Sequence, residues 1–184
     1  MLLLYGRHYF ARHRAVADLV EPNSSVLELC CGPGKLYRRY LRNKTISYTG
    51  LDLNARFIKN LAKTGARGEV CDITTSKPLP ESDYVIMQAS LYHFLPDVSP
   101  ILDRMMTAAK KALIMSEPVR NLADARLGLV RSLSARFANV GKRNEVLRFN
   151  EASLDDLFAR LGYVPARTLF ISGGREKVYL FRKT

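Results

Sequence analysis

The chain has 184 residues, of which 47% are hydrophobic and 25% are charged, a composition typical of a folded domain and not of a disordered segment. A chain of this length buries about 70% of the surface that it exposes when unfolded, so we predict one domain over residues 1–184 that needs no disulfide bonds. No apolar run approaches the roughly 20 residues of a membrane span, and the basic residues 7–14 do not suit a secretory signal, so a cytoplasmic protein is expected.

The charged residues are unbalanced: 29 Lys and Arg side chains stand against 17 Asp and Glu side chains, a net charge of +12. A positive field of this size favours anionic partners, such as RNA or an acidic or phosphate-bearing small molecule. Two of the three cysteines, Cys30 and Cys31, are adjacent, and no Cys/His pair has the spacing of a zinc site. We therefore expect reduced thiols and no metal centre.

Apolar runs alternate with segments of helical period along the first two thirds of the chain. Five apolar runs predict buried strands, at residues 26–30, 46–51, 68–71, 84–88 and 112–116. Helices are predicted at residues 35–42, 55–63 and 101–110; Asn54 and Ser99 fit N-caps, Pro100 a first helical position and Gly65 a C-cap. Strands that alternate with helices in this way form a parallel sheet covered on both faces.

The last third of the chain changes this order. A helix is predicted at residues 151–161, where four apolar side chains share one face and Gly162 ends the helix. Two strand segments, residues 164–171 and 177–181, then flank Ser172-Gly173-Gly174-Arg175, a sequence typical of a hairpin turn. An antiparallel hairpin is therefore predicted at the end of an otherwise parallel sheet.

One motif carries chemistry: residues 26–34, Val-Leu-Glu-Leu-Cys-Cys-Gly-Pro-Gly, in which a buried strand containing Glu28 runs into a glycine turn. Gly32 and Gly34 let the backbone approach a ligand, and the amides that open the next helix attract negative groups. Asp52 follows the second strand, where a carboxylate can accept hydrogen bonds from two ribose hydroxyls. Together they predict an adenosine-type ligand at the carboxyl ends of the first two strands. A dinucleotide fingerprint would need a third glycine where Tyr37 stands.

This run resembles motif I of the class I S-adenosylmethionine-dependent methyltransferases, an acid followed by spaced glycines. Glu28, Gly32 and Gly34 match it, while Cys30, a small residue, replaces the first glycine of its fullest form. Three further segments are similar to the family's later strand motifs: residues 48–53, residues 70–73 and residues 83–94. The last of these ends in a variant of Leu-His-His, in which His93 matches the second His and Tyr92 replaces the first.

The resemblance is to members that act on small molecules, and it implies an α/β, Rossmann-like methyltransferase fold. This fold is a doubly wound, mostly parallel seven-stranded sheet with helices on both faces and an antiparallel C-terminal hairpin strand. The resemblance also implies S-adenosylmethionine as cofactor, with Asp52 on the ribose and Asp72 facing the adenine amine. The cofactor-binding residues that it predicts are Glu28, Cys30, Gly32, Gly34, Asp52, Leu53, Asp72, Ile73, Gln88 and, from an N-terminal helix or lid over residues 1–22, Tyr9.

Glu28, Asp72 and His93 could each have a role in local structure instead of a role in the site. Glu28 could brace the glycine turn by accepting hydrogen bonds from its amides, and Asp72 could form a turn with the threonines that follow it. His93 is the candidate catalytic base, because a phenol, hydroxyl or protonated amine acceptor must lose a proton. The alternative for His93 is a loop histidine that hydrogen-bonds locally.

The expected reaction is methylation of an oxygen or nitrogen of a small or medium-sized acceptor. The positive net charge favours an anionic acceptor. Inserts after the fifth strand often shape the acceptor pocket in the resembled family, and here residues 120–148 predict a helical cap. Within it Arg126 falls in an apolar stripe, and it either extends out of the packed face or binds an anionic acceptor. Lys35, Arg38, Arg39 and Arg42 share one face of the helix predicted at 35–42, either as a solvated surface or as a polyanion site.

Three other functions stay open from the sequence: an RNA methyltransferase, which the charge of +12 supports; a cofactor-binding partner subunit without catalysis; and a nicotinamide dehydrogenase, which the missing third glycine disfavours. The chain lacks the Asn/Asp-Pro-Pro-Tyr sequence of enzymes that methylate DNA amino groups. It also lacks the Pro-Cys dipeptide of enzymes that methylate the cytosine ring carbon. Both classes of DNA enzyme are therefore disfavoured.

Overall fold

The structure, a computed structural model, describes residues 8–119, 149–171 and 173–183. Its elements in chain order are α1 (His8–Asp18), β1 (Ser25–Leu29), a π-helical segment (Tyr37–Leu41), β2 (Ser47–Asp52), α2 (Ala55–Ala62), β3 (Arg67–Val70), β4 (Ser82–Gln88), a 3₁₀-helix (Leu91–Phe94), α3 (Ser99–Ala108), β5 (Ala109–Pro118), α4 (Glu151–Arg160), β6 (Arg167–Phe170) and β7 (Glu176–Arg182). No helix within the described ranges is long and apolar enough to cross a membrane.

The seven strands form one sheet in the order β3-β2-β1-β4-β5-β7-β6. Strands β1 to β5 pair in parallel, and β7 runs antiparallel to both of its neighbours, β5 and β6. The predicted seven-stranded, mostly parallel sheet with an antiparallel C-terminal hairpin strand is confirmed. The strand order reverses between β1 and β4, and the carboxyl ends of strands at such a point form the crevice in which doubly wound sheets bind ligands.

Alternate residues of the central strands supply two cores, one on each face of the sheet. On one face, Val26, Ile86 and Ile114 belong to a cluster with buried residues of α1, α2 and the segment between Gly34 and Arg42. On the other face, Leu27, Val85 and Leu113 belong to a cluster with buried residues of α3 and α4. Because both faces are covered, β4 and β5 are buried almost throughout, as expected for strands of this type.

The basic segment after the glycine turn is helical as predicted, but part of it has the hydrogen bonding of a π-helix. The Arg42 amide donates to the Tyr37 carbonyl, five residues earlier, at 2.9 Å, so the turn is wider than an α-helical turn. The α-helical spacing that predicted a single basic face therefore does not apply. Leu36 and Leu41 are nevertheless buried, and Arg38 is exposed.

Of the two predicted N-caps, Asn54 and Ser99, only Asn54 caps a helix. Asn54 caps α2 as predicted, and its side chain accepts a hydrogen bond from the Arg56 amide at 3.0 Å. Ser99 is not an N-cap: it is the first residue of α3, and its amide and hydroxyl both donate to Asp97 Oδ1. Pro100 is therefore the second helical residue and not the first. The prediction is wrong because Val98 is the N-cap residue, and the Ser99 side chain bonds back to Asp97.

Several predictions fall outside the described residues. The insert at 120–148, with Arg126, lies outside them, and so do residues 1–7 of the N-terminal segment and the side chain of Tyr9. The described part of that segment is α1, which ends at Asp18. The predicted C-terminal hairpin is present, and the Ile171 amide donates to the Glu176 carbonyl at 3.0 Å where its two strands meet.

Candidate functional site

The glycine turn that follows β1 bends through three left-handed backbone positions. Cys30 has φ +51°, Gly32 φ +54° and Gly34 φ +66°. At Gly32 a Cβ atom would meet nothing within 4 Å, so the backbone there borders open space. Small size alone does not make Cys30 a mild replacement for glycine, because an L-residue in this conformation is strained. Burial also raises the pKa of the Cys30 thiol to about 12, which keeps it protonated.

Gly34 has a packing role that differs from that of Gly32. A Cβ atom at Gly34 would collide with Cδ1 of Leu61, which is fully buried on α2. Gly50 on β2 would meet Leu61 Cδ2 at 2.7 Å, and Gly68 on β3 would meet it at 3.3 Å. Leu61 thus occupies a socket bounded by three glycines. Sequence reasoning missed this socket, since these glycines are far apart in the chain and only Gly34 belongs to the glycine turn.

Asp52, at the end of β2, ties the glycine turn to the next helix. Its Oδ2 accepts a hydrogen bond from the Gly32 amide at 2.8 Å, and its Oδ1 accepts one from the Asn54 amide at 2.8 Å. The predicted acid at the strand end therefore lies directly against the open glycine. The bracing hydrogen bond that sequence reasoning considered for Glu28 is made by Asp52.

Glu28 lies beneath the turn, buried in the sheet. The Tyr48 hydroxyl donates to Glu28 Oε2, and the Gln88 side-chain amide donates to Glu28 Oε1 at 2.7 Å. Burial raises the pKa of Glu28 to about 7, although both hydrogen bonds oppose that rise. Burial, followed by the neighbouring Glu28, also raises the pKa of Tyr48 well above its ordinary value. Two predicted cofactor residues, Glu28 and Gln88, are thus joined to each other.

Helix α1 covers this part of the sheet with two buried basic residues. Arg12 Nη1 lies 3.3 Å from Glu176 Oε1, an ion pair between α1 and the first residue of β7. Burial, and then the Arg12 charge, lower the pKa of His13 to about 3, so its imidazole is neutral at physiological pH. Sequence reasoning assigned neither residue to the site. A signal was present in the spacing: Arg12 and His13 lie four residues before Val16 and Ala17, which puts both on the buried side of α1.

The segment after β3 supplies the second acid and two apolar side chains. Asp72 is exposed, and its Oδ1 accepts hydrogen bonds from the Thr74 amide at 2.9 Å and the Thr74 hydroxyl at 2.6 Å, which lowers its pKa. The turn-forming interpretation of Asp72 is therefore correct in geometry. The Cys71 amide donates to the Asp52 carbonyl at 3.1 Å, which brings the two acidic strand ends side by side.

Leu53 and Ile73, which follow the two acids, differ in burial. Leu53 is 70% exposed, whereas Ile73 is buried. The Arg104 guanidinium on α3 donates to the carbonyls of Ile73 and Lys77, which fixes the segment that carries Ile73. The edge beside Asp52 thus combines a carboxylate with an exposed apolar side chain.

His93 lies on the 3₁₀-helix after β4, and its side chain is exposed. Its ring centroid is 4.1 Å from that of Tyr92. Glu117, near the end of β5, holds the start of this short helix. Its Oε1 accepts hydrogen bonds from the Ser90 and Leu91 amides at 2.8 Å each. Burial raises the pKa of Glu117 to about 7. Sequence reasoning missed Glu117, although it is an acid at the end of a buried strand, as Glu28 is.

This arrangement has the chemical groups that an adenosine-type ligand requires. Gly32 offers an open backbone, Asp52 offers hydrogen-bond acceptors for hydroxyl groups, and Leu53 offers apolar surface for a ring. A carboxylate oxygen has more than one lone pair, so Asp52 can accept from a ligand in addition to the Gly32 and Asn54 amides. The exposed histidine lies at the carboxyl end of β4, which neighbours β1 in the sheet.

Comparisons with known proteins agree with the fold and with the motif. The sequence model of a family described as methyltransferase domain matches residues 26–112. No curated protein matches the chain. Among solved structures, the chain is similar to magnesium protoporphyrin IX methyltransferase from Synechocystis PCC 6803 with bound SAH, at 16% identity and a TM-score of 0.69, over 100% of this chain and 92% of that chain.

Two further structures are similar over the same extent. A TehB-like SAM-dependent methyltransferase from Corynebacterium glutamicum has 16% identity and a TM-score of 0.67, over 100% of this chain and 92% of that chain. A SAM-dependent methyltransferase from Aquifex aeolicus has 14% identity and a TM-score of 0.67, over 100% of this chain and 93% of that chain. At these identities the structural likeness shows the fold, while the family match over residues 26–112 covers the glycine turn and both acidic strand ends.

Proposed function

The chain belongs to the class I S-adenosylmethionine-dependent methyltransferases, and we propose that it transfers the methyl group to an oxygen or nitrogen of a small or medium-sized, anionic acceptor at the carboxyl edge of the sheet. We assign the reaction to this edge because the Gly32 amide is hydrogen-bonded to the Asp52 carboxylate there. The glycine backbone borders open space, and its amide is held at 2.8 Å by the carboxylate that follows β2.

We propose that the cofactor lies along the ends of β1, β2 and β3. Asp52 binds the ribose hydroxyls, Leu53 and Ile73 flank the adenine ring, and Asp72 faces the adenine amine. Gly32 admits the cofactor, and Tyr9 of the N-terminal helix lies over it. Glu28 and Gln88 act from below, because each is buried and their side chains are hydrogen-bonded to each other.

The cofactor supplies an electrophilic methyl group on a sulfonium, so alignment of the acceptor with that group can provide much of the acceleration. The chain's own contribution is to hold both molecules and to exclude water. His93 takes the acceptor proton where the acceptor is a phenol, a hydroxyl or a protonated amine. Its exposed ring and its position on a helix held by Glu117 support this role.

The charge of the chain supports an anionic acceptor. With a net charge of +12, the protein attracts acidic or phosphate-bearing molecules over neutral ones of the same shape. The same charge supports RNA as a second candidate acceptor, whose binding would weaken steeply as salt increases. Residue Arg126 is proposed to contact the anionic group, as part of a cap formed by residues 120–148.

Calorimetry with S-adenosylhomocysteine and NAD tests the cofactor part of the proposal. We expect S-adenosylhomocysteine to bind and to raise the melting temperature, because a ligand that binds only the folded state stabilises it, and NAD to do neither. A folded protein whose melting temperature does not change at millimolar S-adenosylhomocysteine would refute the proposed cofactor site.

Radiolabelled methyl transfer to a panel of acceptors tests the reaction itself. The panel contains phenols, amines, carboxylic acids, sugar phosphates and total RNA, each assayed at low and at high salt. Labelling of an anionic small molecule supports the proposal, and salt-sensitive labelling of RNA alone replaces it with the second candidate. Binding of S-adenosylhomocysteine without labelling of any class would identify a non-catalytic partner subunit.

A further inference from the structure

A basic cleft lies apart from the edge described above, between the π-helical segment and the end of α2. It has a volume of about 450 Å³ and is lined by Pro33, Arg38, Arg42, Asn60, Lys63 and Thr64. We call it the Arg38–Lys63 cleft. Three of its six lining residues are cationic, and only Pro33, between Gly32 and Gly34, belongs to the glycine turn.

The positive charges of this cleft have no counter-ions in the described part of the chain. Within residues 8–119, 149–171 and 173–183, no carboxylate lies within ion-pair distance of Arg38, Arg42 or Lys63. Elsewhere in the same ranges two exposed lysines form ion pairs, Lys110 with Glu81 at 3.4 Å and Lys111 with Glu21 at 2.8 Å. An uncompensated set of like charges raises the local positive potential and attracts anions.

The shape of the cleft separates it from an ordinary solvated helix face. On a single convex helix, charged side chains diverge into water. Here Arg38 and Arg42 come from one element and Lys63 from another, and all three line one concavity. The wider π-helical turn between Tyr37 and Arg42 is part of this geometry, because it changes the angle between successive side chains relative to an α-helix.

We propose that the Arg38–Lys63 cleft binds the phosphate groups of a small organic diphosphate, such as a nucleoside diphosphate. Two guanidinium groups suit such a ligand because each can donate paired hydrogen bonds to phosphate oxygens, and Lys63 adds a point charge. The Asn60 side-chain amide is a further donor. The Thr64 hydroxyl donates to the Leu61 carbonyl at 2.6 Å, so its oxygen is left as an acceptor for a ligand hydroxyl.

The size of the cleft favours a small ligand over a nucleic-acid strand. Its volume lies within the roughly 300–1,000 Å³ range of small-molecule sites, and its lining ends after six residues. A strand of RNA would need a longer continuous track of phosphate contacts. This site does not depend on the proposed methyl acceptor, since five of its six lining residues lie outside the carboxyl edge and Pro33 has no proposed role there.

Calorimetric titration with inorganic pyrophosphate and with ADP tests the proposal. The test variant is R38Q/K63Q, and the matched control is R167Q/R175Q, which removes the same amount of charge from exposed positions near the β6–β7 hairpin. We expect wild type and control to bind pyrophosphate alike, and the test variant to bind about tenfold or more weakly, because it loses two charge-assisted contacts. Exposed substitutions of this kind have little effect on folding.

Three outcomes would overturn the proposal. The first is no binding of millimolar pyrophosphate or ADP by the wild type. The second is an equal loss of pyrophosphate affinity in the test variant and the control, which would mean that the loss follows net charge and not the cleft. The third is binding of a short single-stranded RNA that pyrophosphate does not displace. The same samples are titrated with S-adenosylhomocysteine, so that failure of the proposed cofactor site is scored separately from failure of this site.

Discussion

Two glycines of one turn, Gly32 and Gly34, are expected to respond to alanine in opposite ways. Both have positive φ, so an alanine at either position carries the strain of a left-handed conformation. They differ in what the added Cβ meets: open space at Gly32, and the Leu61 side chain at Gly34. The pair therefore separates the effect of backbone strain from the effect of overpacking.

The magnitudes follow from these two terms. Left-handed strain costs roughly 1–2 kcal/mol of unfolding free energy in each variant. Overpacking adds roughly 1–3 kcal/mol in Gly34→Ala only, because Leu61 is enclosed by Gly50 and Gly68 and has little room to move. We therefore expect Gly34→Ala to be the less stable variant by roughly 1–3 kcal/mol, which lowers its melting temperature by about 2–4 °C per kcal/mol in a chain of this size.

Cofactor binding is expected to show the reverse order. The Cβ of Gly32→Ala points into the space that the cofactor would occupy, so the affinity for S-adenosylhomocysteine should fall by about tenfold or more, which corresponds to about 1.4 kcal/mol. Folded Gly34→Ala should keep its affinity within a few-fold, because the new methyl group faces α2. Urea unfolding measures the stabilities, and calorimetry below the melting transition measures the affinities.

A third variant checks the assigned collision. In a Leu61→Ala background the overpacking partner is gone, so the penalty of Gly34→Ala should fall to that of Gly32→Ala, a coupling of roughly 1–3 kcal/mol. Equal stabilities of the two single variants would refute the packing role of Gly34. Unchanged affinity in Gly32→Ala would refute the placement of the cofactor against this glycine.

The same turn and the sheet below it support three further predictions. Asp52→Ala should lose cofactor affinity and also about 1–3 kcal/mol of stability, because the Gly32 and Asn54 amides lose their acceptor; a melting temperature equal to that of the wild type would show that these hydrogen bonds contribute nothing. Cys30→Gly should raise the unfolding free energy by up to about 1 kcal/mol by relieving the positive φ, and a loss of stability in urea unfolding would contradict the assigned strain. Folding raises the pKa of Glu28 from 4.5 to about 7, so the folded state holds its proton more tightly and stability should fall as pH rises from about 4.5 to about 7. The wild type should therefore lose up to about 3 kcal/mol relative to Glu28→Gln between these pH values, and parallel pH profiles of the two proteins would count against a raised pKa.

The sheet was predictable because its signals are local. Each buried strand is a short apolar run bounded by turn residues, and the hairpin before β7 is marked by Gly173 and Gly174. The helix ends were predictable where a cap lies next to the helix, as Asn54 does. The prediction of Ser99 was wrong because the helix begins at Ser99 itself, and the Ser99 amide and hydroxyl both donate to Asp97, a contact that the helical pattern does not reveal.

The positions of the motif residues in the chain were predictable, but their bonding partners were not. Asp52 and Gly32 are 20 residues apart, and Glu28 and Gln88 are 60 apart, so their hydrogen bonds depend on strand register. Sequence reasoning therefore considered Glu28 as a possible brace of the turn, whereas the hydrogen bond to the Gly32 amide is made by Asp52. It missed Glu117 for the same reason, since the amides that Glu117 holds belong to the loop after another strand.

The ion pair between Arg12 and Glu176 joins residues that are 164 positions apart, and it determines when the edge of the sheet can be completed. At roughly 5–20 residues per second, a ribosome would add Glu176 about 8–30 seconds after Arg12. During that interval the ion pair of the buried Arg12 with Glu176 cannot form, and β5 has no antiparallel neighbour. In refolding experiments with pulsed hydrogen exchange, α1 amides should be protected no earlier than those of β7, and earlier protection would contradict this order. The β5–β7 side of the sheet is thus among the last parts of the molecule to form, after the residues at the carboxyl ends of β1, β2 and β3 have been synthesised.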